Sequence, residues 1–137
     1  MLLAPRNFKY KKMQKGKTAN KLNYNLKFKQ LRCNYIKIIS LNSARLTGKQ
    51  LQTIHSLLLK ALKKLGFVQF KVFPHLSVTK KPLEIRMGKG KGNVNHWVSK
   101  IKIGTILCFL KTNQIFKILK CFQKVKARLP ILIKILY

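Results

Sequence analysis

The chain has 137 residues, of which 31 are lysine or arginine and only one, Glu84, is acidic, so its formal net charge is +30. A single carboxylate cannot provide the paired acid and base of most hydrolytic enzymes, and the three histidines have no carboxylate neighbours in the sequence. The cysteines, Cys33, Cys108 and Cys121, fit no zinc or redox spacing and are predicted to be small buried hydrophobes with free thiols. We therefore expect no enzyme activity, no metal site and no cofactor.

The excess of positive charge indicates a polyanionic partner. Self-repulsion at +30 opposes compaction unless a polyanion neutralises it, and RNA is the obvious candidate. An anionic membrane is disfavoured, because the longest run without Lys, Arg or Glu covers only the ten residues from Gln50 to Leu59. About 20 apolar residues are needed to span a bilayer. The length suits one domain, and 47% apolar residues supply material for its core.

The first 21 residues are basic, are interrupted by a proline and a glycine, and show no sustained period. They are predicted to form a basic arm that is unstructured on its own. The remainder, residues 22–137, is predicted to be a single domain. Its first two strands are expected at 22–28, where apolar and polar residues alternate, and at about 35–41.

The first helix has the best local signals in the chain. Thr47 and Gln50 have the spacing of a capping box, with Leu46 and Leu51 placed as a hydrophobic staple. The apolar stripe expected to face the core is Leu51, Ile54, Leu58, Ala61, Leu62 and Leu65. Gly66 is predicted to stop the helix at its C-terminus.

Residues 67–92 are predicted to hold two strands and a basic loop. The first strand covers 67–73 and is closed by Pro74, and the second covers 83–87 with Arg86 on its open face. The second strand leads into the loop Gly88-Lys89-Gly90-Lys91-Gly92. Its glycines allow close backbone approach and its lysines bring charge there, so phosphate oxygens are the expected ligands. The loop fits neither the P-loop nor the dinucleotide-binding pattern, which disfavours a nucleotide-binding enzyme.

The C-terminal third is predicted to contain a second helix and further strands. These strands are expected at 94–103, with Trp97, Ile101 and Ile103 on one face, at 105–110 after a turn at Gly104, and at 131–136. Thr112 or Asn113 is expected to cap the helix, and Pro130 to end it. Its apolar stripe is Ile115, Ile118, Leu119, Phe122, Val125 and Leu129. Several strands with two helices on one sheet system predict an α+β domain.

Five sequence landmarks together resemble one known family. They are PRNFKYKKMQKGK (5–17), ARLTGKQ (44–50), VFP (72–74), KPLEIRMGKGKGNV (81–94) and RLPI (128–131). In order and spacing they are similar to the bacterial-type large-subunit ribosomal protein L-sixteen, related to L-ten-e of archaea and the eukaryotic cytosol. The chain departs from that pattern between residues 17 and 43, where relatives usually carry several glycines. The resemblance implies a compact mixed-strand sandwich with two helices and an extended basic N-terminal arm.

The resemblance also implies a function and a set of contacts. The chain would be a structural constituent of the large subunit that organises rRNA near the aminoacyl-tRNA and peptidyl-transferase region, supporting assembly and tRNA accommodation. Its partners would be large-subunit rRNA, tRNA and neighbouring ribosomal proteins, without membrane insertion or homo-oligomerisation. The resemblance implies rRNA contact by Arg86, and the residue types themselves predict rRNA binding at Arg45 and Lys49, which flank the N-terminus of the first helix, and along the arm. The predicted arm residues are Arg6, Lys9, Tyr10, Lys11, Lys12, Lys15 and Lys17. The implied tRNA-proximal loop is Arg86, Met87, Gly88, Lys89, Gly90, Lys91 and Gly92.

Each of these assignments has a plainer structural alternative. The loop also fits a flexible surface turn with solvated lysines, and the arm a solvated tail in the free protein. Arg45 and Lys49 also fit an ordinary helix start with charged neighbours. Glu84 either orients Arg86 from the same strand face or forms an exposed ion pair worth under about 1 kcal/mol. Trp97 is expected to pack in the core rather than on a base.

Two other functions are kept as alternatives, and composition alone equally allows the first of them. A nucleoid-type DNA-binding protein would show no preference for folded rRNA over duplex DNA. A basic nuclease would cleave nucleic acid with magnesium, but the carboxylates for such chemistry are missing from a chain with one acidic residue.

The composition also bears on the compartment. Lysine greatly outnumbers arginine, and asparagine, isoleucine, leucine and phenylalanine are abundant, which suggests an AT-rich genome. The N-terminus has the features of neither a secretory signal nor a transit peptide, and the family-like sequence begins almost at its first residue. These features predict a protein encoded in a mitochondrion and used in its ribosome without a presequence.

Overall fold

The computed structural model describes residues 2–18, 35–63, 66–86, 88, 90–112 and 115–136. Within these ranges the chain forms an α+β fold, as predicted. Its elements in chain order are β1 (Tyr35–Ser40), β2 (Ala44–Thr47), α1 (Gly48–Leu62), β3 (Gly66–Phe70), β4 (Leu76–Lys80), β5 (Asn93–Ile101), β6 (Ile106–Thr112), α2 (Ile115–Ala127) and β7 (Ile133–Leu136). The strand predicted at 22–28 lies outside the described residues.

The strands form two antiparallel sheets that share one core. The larger sheet has the order β3-β6-β1-β7 and the smaller one the order β2-β5-β4. Ile38 and Leu110 from the larger sheet and Ile101 from the smaller sheet belong to the same cluster of buried residues, together with Leu58 of α1 and Val125 of α2. Both helices therefore contribute their apolar stripes to the core on which the two sheets pack.

The start of α1 follows the predicted capping box. The Gln50 N–H donates to Thr47 Oγ1 at 3.3 Å, and the Thr47 N–H donates to Gln50 Oε1 at 2.9 Å. These two bonds satisfy N–H groups that have no partner within the helix. Leu46 and Leu51, predicted as the staple, are both fully buried.

The end of α1 differs from the prediction. The C-cap is Lys63, with φ of 49°, and its N–H donates to the Leu59 carbonyl at 2.9 Å. Gly66, predicted to be the stop, begins β3 instead. A Cβ at Gly66 would lie 2.7 Å from the Lys111 carbonyl oxygen of the neighbouring strand. The glycine is therefore needed for the close approach of β3 and β6 rather than for helix termination.

The strand predicted at 83–87 is wrong, because its described residues, 83–86, form turn, bend and irregular structure rather than a strand. Leu83 is 95% exposed and Ile85 is 56% exposed, so their alternation with polar residues does not mark a buried face. The edge of the smaller sheet next to β5 is occupied by β4, which was not predicted. Because Glu84 and Arg86 share no strand face, the proposed orientation of Arg86 by Glu84 loses its basis.

The C-terminal elements largely agree with the sequence. β5, β6 and β7 lie where strands were predicted, Gly104 forms the turn with φ of 79°, and α2 ends before Pro130. Two details of α2 differ. Thr112 belongs to β6, while Asn113 lies outside the described residues. Cys121 joins Ile118 and Val125 on the buried face of the helix, whereas Leu119 is 37% exposed.

No helix in the described part of the chain is long and apolar enough to cross a membrane.

Candidate nucleic-acid interface

The N-terminal arm follows the smaller sheet without forming a helix or strand of its own between residues 2 and 18. Phe8 and Trp97 of β5 are both half-buried and meet edge to face, with ring centroids 5.6 Å apart and an interplanar angle of 70°. Trp97 therefore packs under the arm, rather than inside the main core as predicted. Because Phe8 is used in this contact, Tyr10 is the arm aromatic that remains well exposed, at 73%.

The arm is also connected to the glycine–lysine loop. Lys12 Nζ donates to the Lys91 carbonyl at 2.8 Å, and Lys91 Nζ donates in return to the Met13 carbonyl. A third lysine, Lys81, donates from its Nζ to the Gly88 carbonyl within the loop segment. Two segments almost 80 residues apart in sequence thus form one basic surface, which we call the arm–loop surface: residues 6–17 with residues 81–86, 88 and 90–92.

Arg45 holds the end of the arm rather than the start of α1. It lies in β2 opposite Lys100 of β5, and its Nη2 donates to the Gly16 carbonyl. The Nε of Arg45 is buried without a hydrogen-bond partner in the described structure. A Cβ at Gly16 would meet Lys100 Nζ at 2.8 Å, so the Lys100 ammonium also lies against this point of the arm. Lys49, by contrast, is exposed in the first turn of α1.

The glycines of the loop have two different roles. Gly88 and Gly90 have φ of 117° and 70°, and a Cβ at either would meet no atom within 4 Å. They provide a backbone conformation that other residues rarely adopt, on an open surface. A Cβ at Gly92 would instead lie 2.6 Å from the Lys80 carbonyl oxygen, so this glycine allows the loop to return closely to the end of β4. Met87 and Lys89 lie outside the described residues.

Most of the predicted contact residues face solvent. Exposed side chains among them are Arg6, Lys9, Tyr10, Lys11, Lys12, Lys15, Lys17, Lys49, Arg86 and Lys91. Lys9 Nζ also lies 5.7 Å from the centroid of the Tyr10 ring. The single acidic residue, Glu84, is exposed within the arm–loop surface. The structure thus brings the arm and the loop together, which their separation in sequence did not reveal.

Three contributors to this surface were missed by the sequence reasoning. Lys81 donates from its ammonium group to the Gly88 carbonyl, the Lys100 ammonium lies against Gly16, and Trp97 supports the arm through Phe8. Lys81 and Lys100 were indistinguishable from other lysines in the sequence. For Trp97, its position in a strand of alternating residues predicted that the ring would be buried, but it did not predict that the ring would pack against Phe8.

The cysteines behave as structural residues where they are described. Burial raises the pKa of Cys108 to about 12 and also raises the pKa of Cys121, against the opposing effect of nearby Lys124. Both are buried free thiols, as predicted, whereas Cys33 lies outside the described residues. Among the described residues, no three His, Cys, Asp or Glu side chains are grouped so that they could hold a metal ion.

Residues 5–136 match the family model described as Ribosomal protein L16p/L10e. The chain belongs to this family. It is 44% identical over 108 residues to Large ribosomal subunit protein uL16 of Blochmanniella pennsylvanica, covering 78% of this chain and 77% of the relative. It is 35% identical over 130 residues to the uL16 protein of Wigglesworthia glossinidia brevipalpis, covering 95% and 93%. It is also 35% identical over 138 residues to Large ribosomal subunit protein uL16c of Euglena longa, covering 99% and 98%.

Membership of the L16p/L10e family confirms the resemblance read from the five landmarks. The chain is a structural, non-enzymatic constituent of the large ribosomal subunit, and its partners are rRNA and other ribosomal proteins. The ribosomal assignment replaces the nucleoid-type alternative that composition alone allowed.

Proposed function

We propose that the arm–loop surface is the part of this protein that binds large-subunit rRNA, close to the aminoacyl-tRNA accommodation site and the peptidyl-transferase region. The observation that carries this proposal is a pair of hydrogen bonds, from Lys12 Nζ to the Lys91 carbonyl and from Lys91 Nζ to the Met13 carbonyl, which fixes the basic arm beside the glycine–lysine loop. In this arrangement residues 1–21 act as an arm that enters the rRNA, and residues 22–137 act as the single domain that anchors it.

The chemistry of the surface suits phosphate groups. Each lysine ammonium has three donors, and those of Lys12 and Lys91 now bond to backbone carbonyls at the exposed surface. A phosphate oxygen is a charged and therefore stronger acceptor than a carbonyl, so both ammonium groups are expected to turn to RNA when it binds. Arg86 is exposed in the same loop segment as Lys91 and offers the planar donor fork that matches a phosphate.

Tyr10 is the aromatic that we expect to contact a base. It is 73% exposed, with the Lys9 ammonium near its ring. An unpaired base can stack on such a ring while a neighbouring cation binds the backbone phosphate. Phe8 is not proposed for this role, because its ring packs on Trp97.

The assignment of the glycine–lysine loop as the tRNA-proximal element is tested by comparing two double alanine variants. Changing Lys89 and Lys91 to Ala should impair subunit maturation or tRNA accommodation more than changing Lys63 and Lys64 to Ala. Both double variants remove two positive charges, so a difference reports position rather than net charge. Equal defects would refute the assignment of the loop as the tRNA-proximal element.

We further propose that the ribosome in question is mitochondrial and that the protein enters it as one copy. The lysine-rich, arginine-poor composition supports a gene in an AT-rich organelle genome. Quantitative mass spectrometry across a sucrose gradient of mitochondrial lysate, repeated after a high-salt wash, tests both points. The protein should sediment with the large subunit at one copy per particle. Its absence from mitochondrial particles would contradict the proposed compartment.

A further inference from the structure

The solvent-facing side of the four-stranded sheet carries aromatic rings and lysines on adjacent strands. Ile38 of β1, Val68 of β3 and Leu110 of β6 point into the core. Because side chains alternate along a strand, their neighbours in sequence point away from it. We call the outward set the aromatic–lysine face; its members are Tyr35, Lys37, Phe67, Lys71, Phe109 and Lys111.

The strand register places rings and cations side by side. Lys111 of β6 is paired with Phe67 of β3 on one side and with Tyr35 of β1 on the other. One step along the sheet, Phe109 of β6 is paired with Lys37 of β1. Each of these two rows across the sheet thus combines aromatic and cationic side chains.

The contacts between these side chains are loose enough to be replaced. Lys71 Nζ lies 5.6 Å from the centroid of the Phe109 ring, and Lys111 Nζ lies 5.8 Å from that of Tyr35. Both distances are near the limit of about 6 Å for a cation–π contact. The Tyr35 and Phe109 rings meet edge to face at 6.5 Å. A base stacking on a ring would displace a weakly held ammonium, which would then be free to bind that nucleotide's phosphate.

Phe67 is the most exposed of the three rings on this face. Its side chain is 60% exposed on β3, which is an edge strand of the larger sheet. The charge of the face identifies the partner's class, because Lys37, Lys71 and Lys111 favour an anion. The only acidic side chain, Glu84, belongs to the arm–loop surface beside the smaller sheet.

We propose that the aromatic–lysine face is a second RNA-contact surface, on which unpaired nucleotides stack on the rings and bind the lysines through their phosphates. Sheets that present aromatic rings to solvent bind single-stranded RNA by this chemistry, and stacking tolerates any base. This face belongs to the larger sheet, whereas the arm–loop surface packs on the smaller one. The proposal therefore does not depend on the function proposed for the arm and loop.

Binding of the full-length chain to a fluorescently labelled single-stranded oligouridylate tests the stacking. The titration is made at about 0.5 M salt, where phosphate contacts are weakened and stacking persists. The double variant Tyr35→Leu/Phe67→Leu keeps apolar side chains but removes two rings, and should weaken binding roughly tenfold. The matched control is Phe116→Leu, which removes an 83% exposed ring from α2 and should bind as the wild type does.

A second measurement uses the assembled ribosome, so that it does not depend on the folding of a variant. Ultraviolet cross-linking of intact large subunits, followed by mass spectrometry, should find nucleotide adducts on peptides containing Tyr35, Phe67 or Phe109. Equal binding by the double variant and the control would overturn the proposal, as would the absence of adducts from all three peptides. Cross-links from this face to an acidic segment of a neighbouring protein, without RNA adducts, would overturn it in favour of a protein partner.

The double variant Lys12→Gln/Lys91→Gln, titrated in parallel, separates this proposal from the first one. It should weaken binding mainly at low salt, where phosphate contacts contribute most. A loss confined to the aromatic variants would support this face even if the arm–loop assignment failed.

Discussion

The packed domain and the arm–loop surface are held together by different interactions. In the domain, Leu46, Leu51, Leu110 and Val125 are all fully buried and lie in one apolar cluster. In the arm–loop surface, Leu83 is 95% exposed, and the described links between arm and loop are hydrogen bonds from lysine ammonium groups to carbonyls. Burial of apolar area stabilises a fold strongly, whereas exposed hydrogen bonds contribute little net free energy.

This difference teaches that stability and RNA contact are assigned to separate parts of the molecule. The positive charge is clustered in the arm–loop surface, which exposed hydrogen bonds hold together. Its ammonium groups can therefore change partners without disturbing the core. Substitutions in the domain should therefore alter the free energy of unfolding, and substitutions in the arm–loop surface should alter RNA binding.

The largest expected effect on stability comes from the core. Leu110→Ala should lower the free energy of unfolding by about 2–5 kcal/mol, because it leaves a cavity where the side chain is fully buried. Leu83→Ala removes the same atoms from an exposed position and should change the free energy of unfolding by less than about 0.5 kcal/mol. Urea denaturation followed by circular dichroism measures both variants. Similar losses would remove the distinction between the two regions.

Gly92 lies where the two regions join, and its substitution should have the next largest effect. Gly92→Ala places a Cβ 2.6 Å from the Lys80 carbonyl oxygen, so backbone must move, at a cost of about 1–3 kcal/mol. Gly90→Ala meets open space and is expected to cost about 1 kcal/mol for its positive φ. Amide hydrogen exchange should show faster opening of the β4–β5 ladder in Gly92→Ala alone. Unchanged exchange in both variants would refute the role given to Gly92.

The capping box predicts a smaller loss within the domain. Thr47→Ala removes the side-chain acceptor for the Gln50 N–H and should lower the free energy of unfolding by about 1 kcal/mol. Thr53→Ala is the control. The Thr53 hydroxyl is exposed and donates to the Lys49 and Gln50 carbonyls of the same helix, so it satisfies no N–H group at the helix start. Thermal unfolding of the two variants should separate them; an equal shift would show that the cap contributes nothing specific.

Substitution of Lys12 and Lys91 should cause the smallest change in stability but a clear change in RNA binding. Lys12→Gln/Lys91→Gln should alter the free energy of unfolding by less than about 0.5 kcal/mol. It should reduce the log–log salt slope of binding to single-stranded rRNA segments by about 0.7 for each phosphate that the variant no longer binds. Lys117→Gln/Lys120→Gln on α2 makes the same change in charge and should alter the slope less. If both double variants changed the salt slope equally, the arm–loop surface would contribute to binding only through net charge.

Local sequence signals predicted the elements whose causes are local. The capping box and stripe of α1 were readable because the interacting residues lie within a few positions of one another. The strand at 83–87 was wrong because alternation alone does not say whether a sheet edge is free, and here β4 pairs with β5. Gly66 was misread because its neighbour in space, Lys111, lies 45 positions away along the chain.

The composition of the candidate surface was predictable, but its assembly was not. The many basic residues of the arm and loop are enough to indicate contact with phosphates. Nothing in the sequence paired Lys12 with Lys91, or Arg45 with Gly16, because each contact joins distant segments through backbone carbonyls that every residue possesses.

Lysine acetylation of intact large subunits, quantified by mass spectrometry before and after RNA digestion, tests the central claim most directly. If the arm–loop surface binds rRNA, Lys12 and Lys91 should resist acetylation in the intact subunit and react once the RNA is removed. Free reaction of both lysines in the intact subunit, or protection that survives RNA digestion, would contradict the claim.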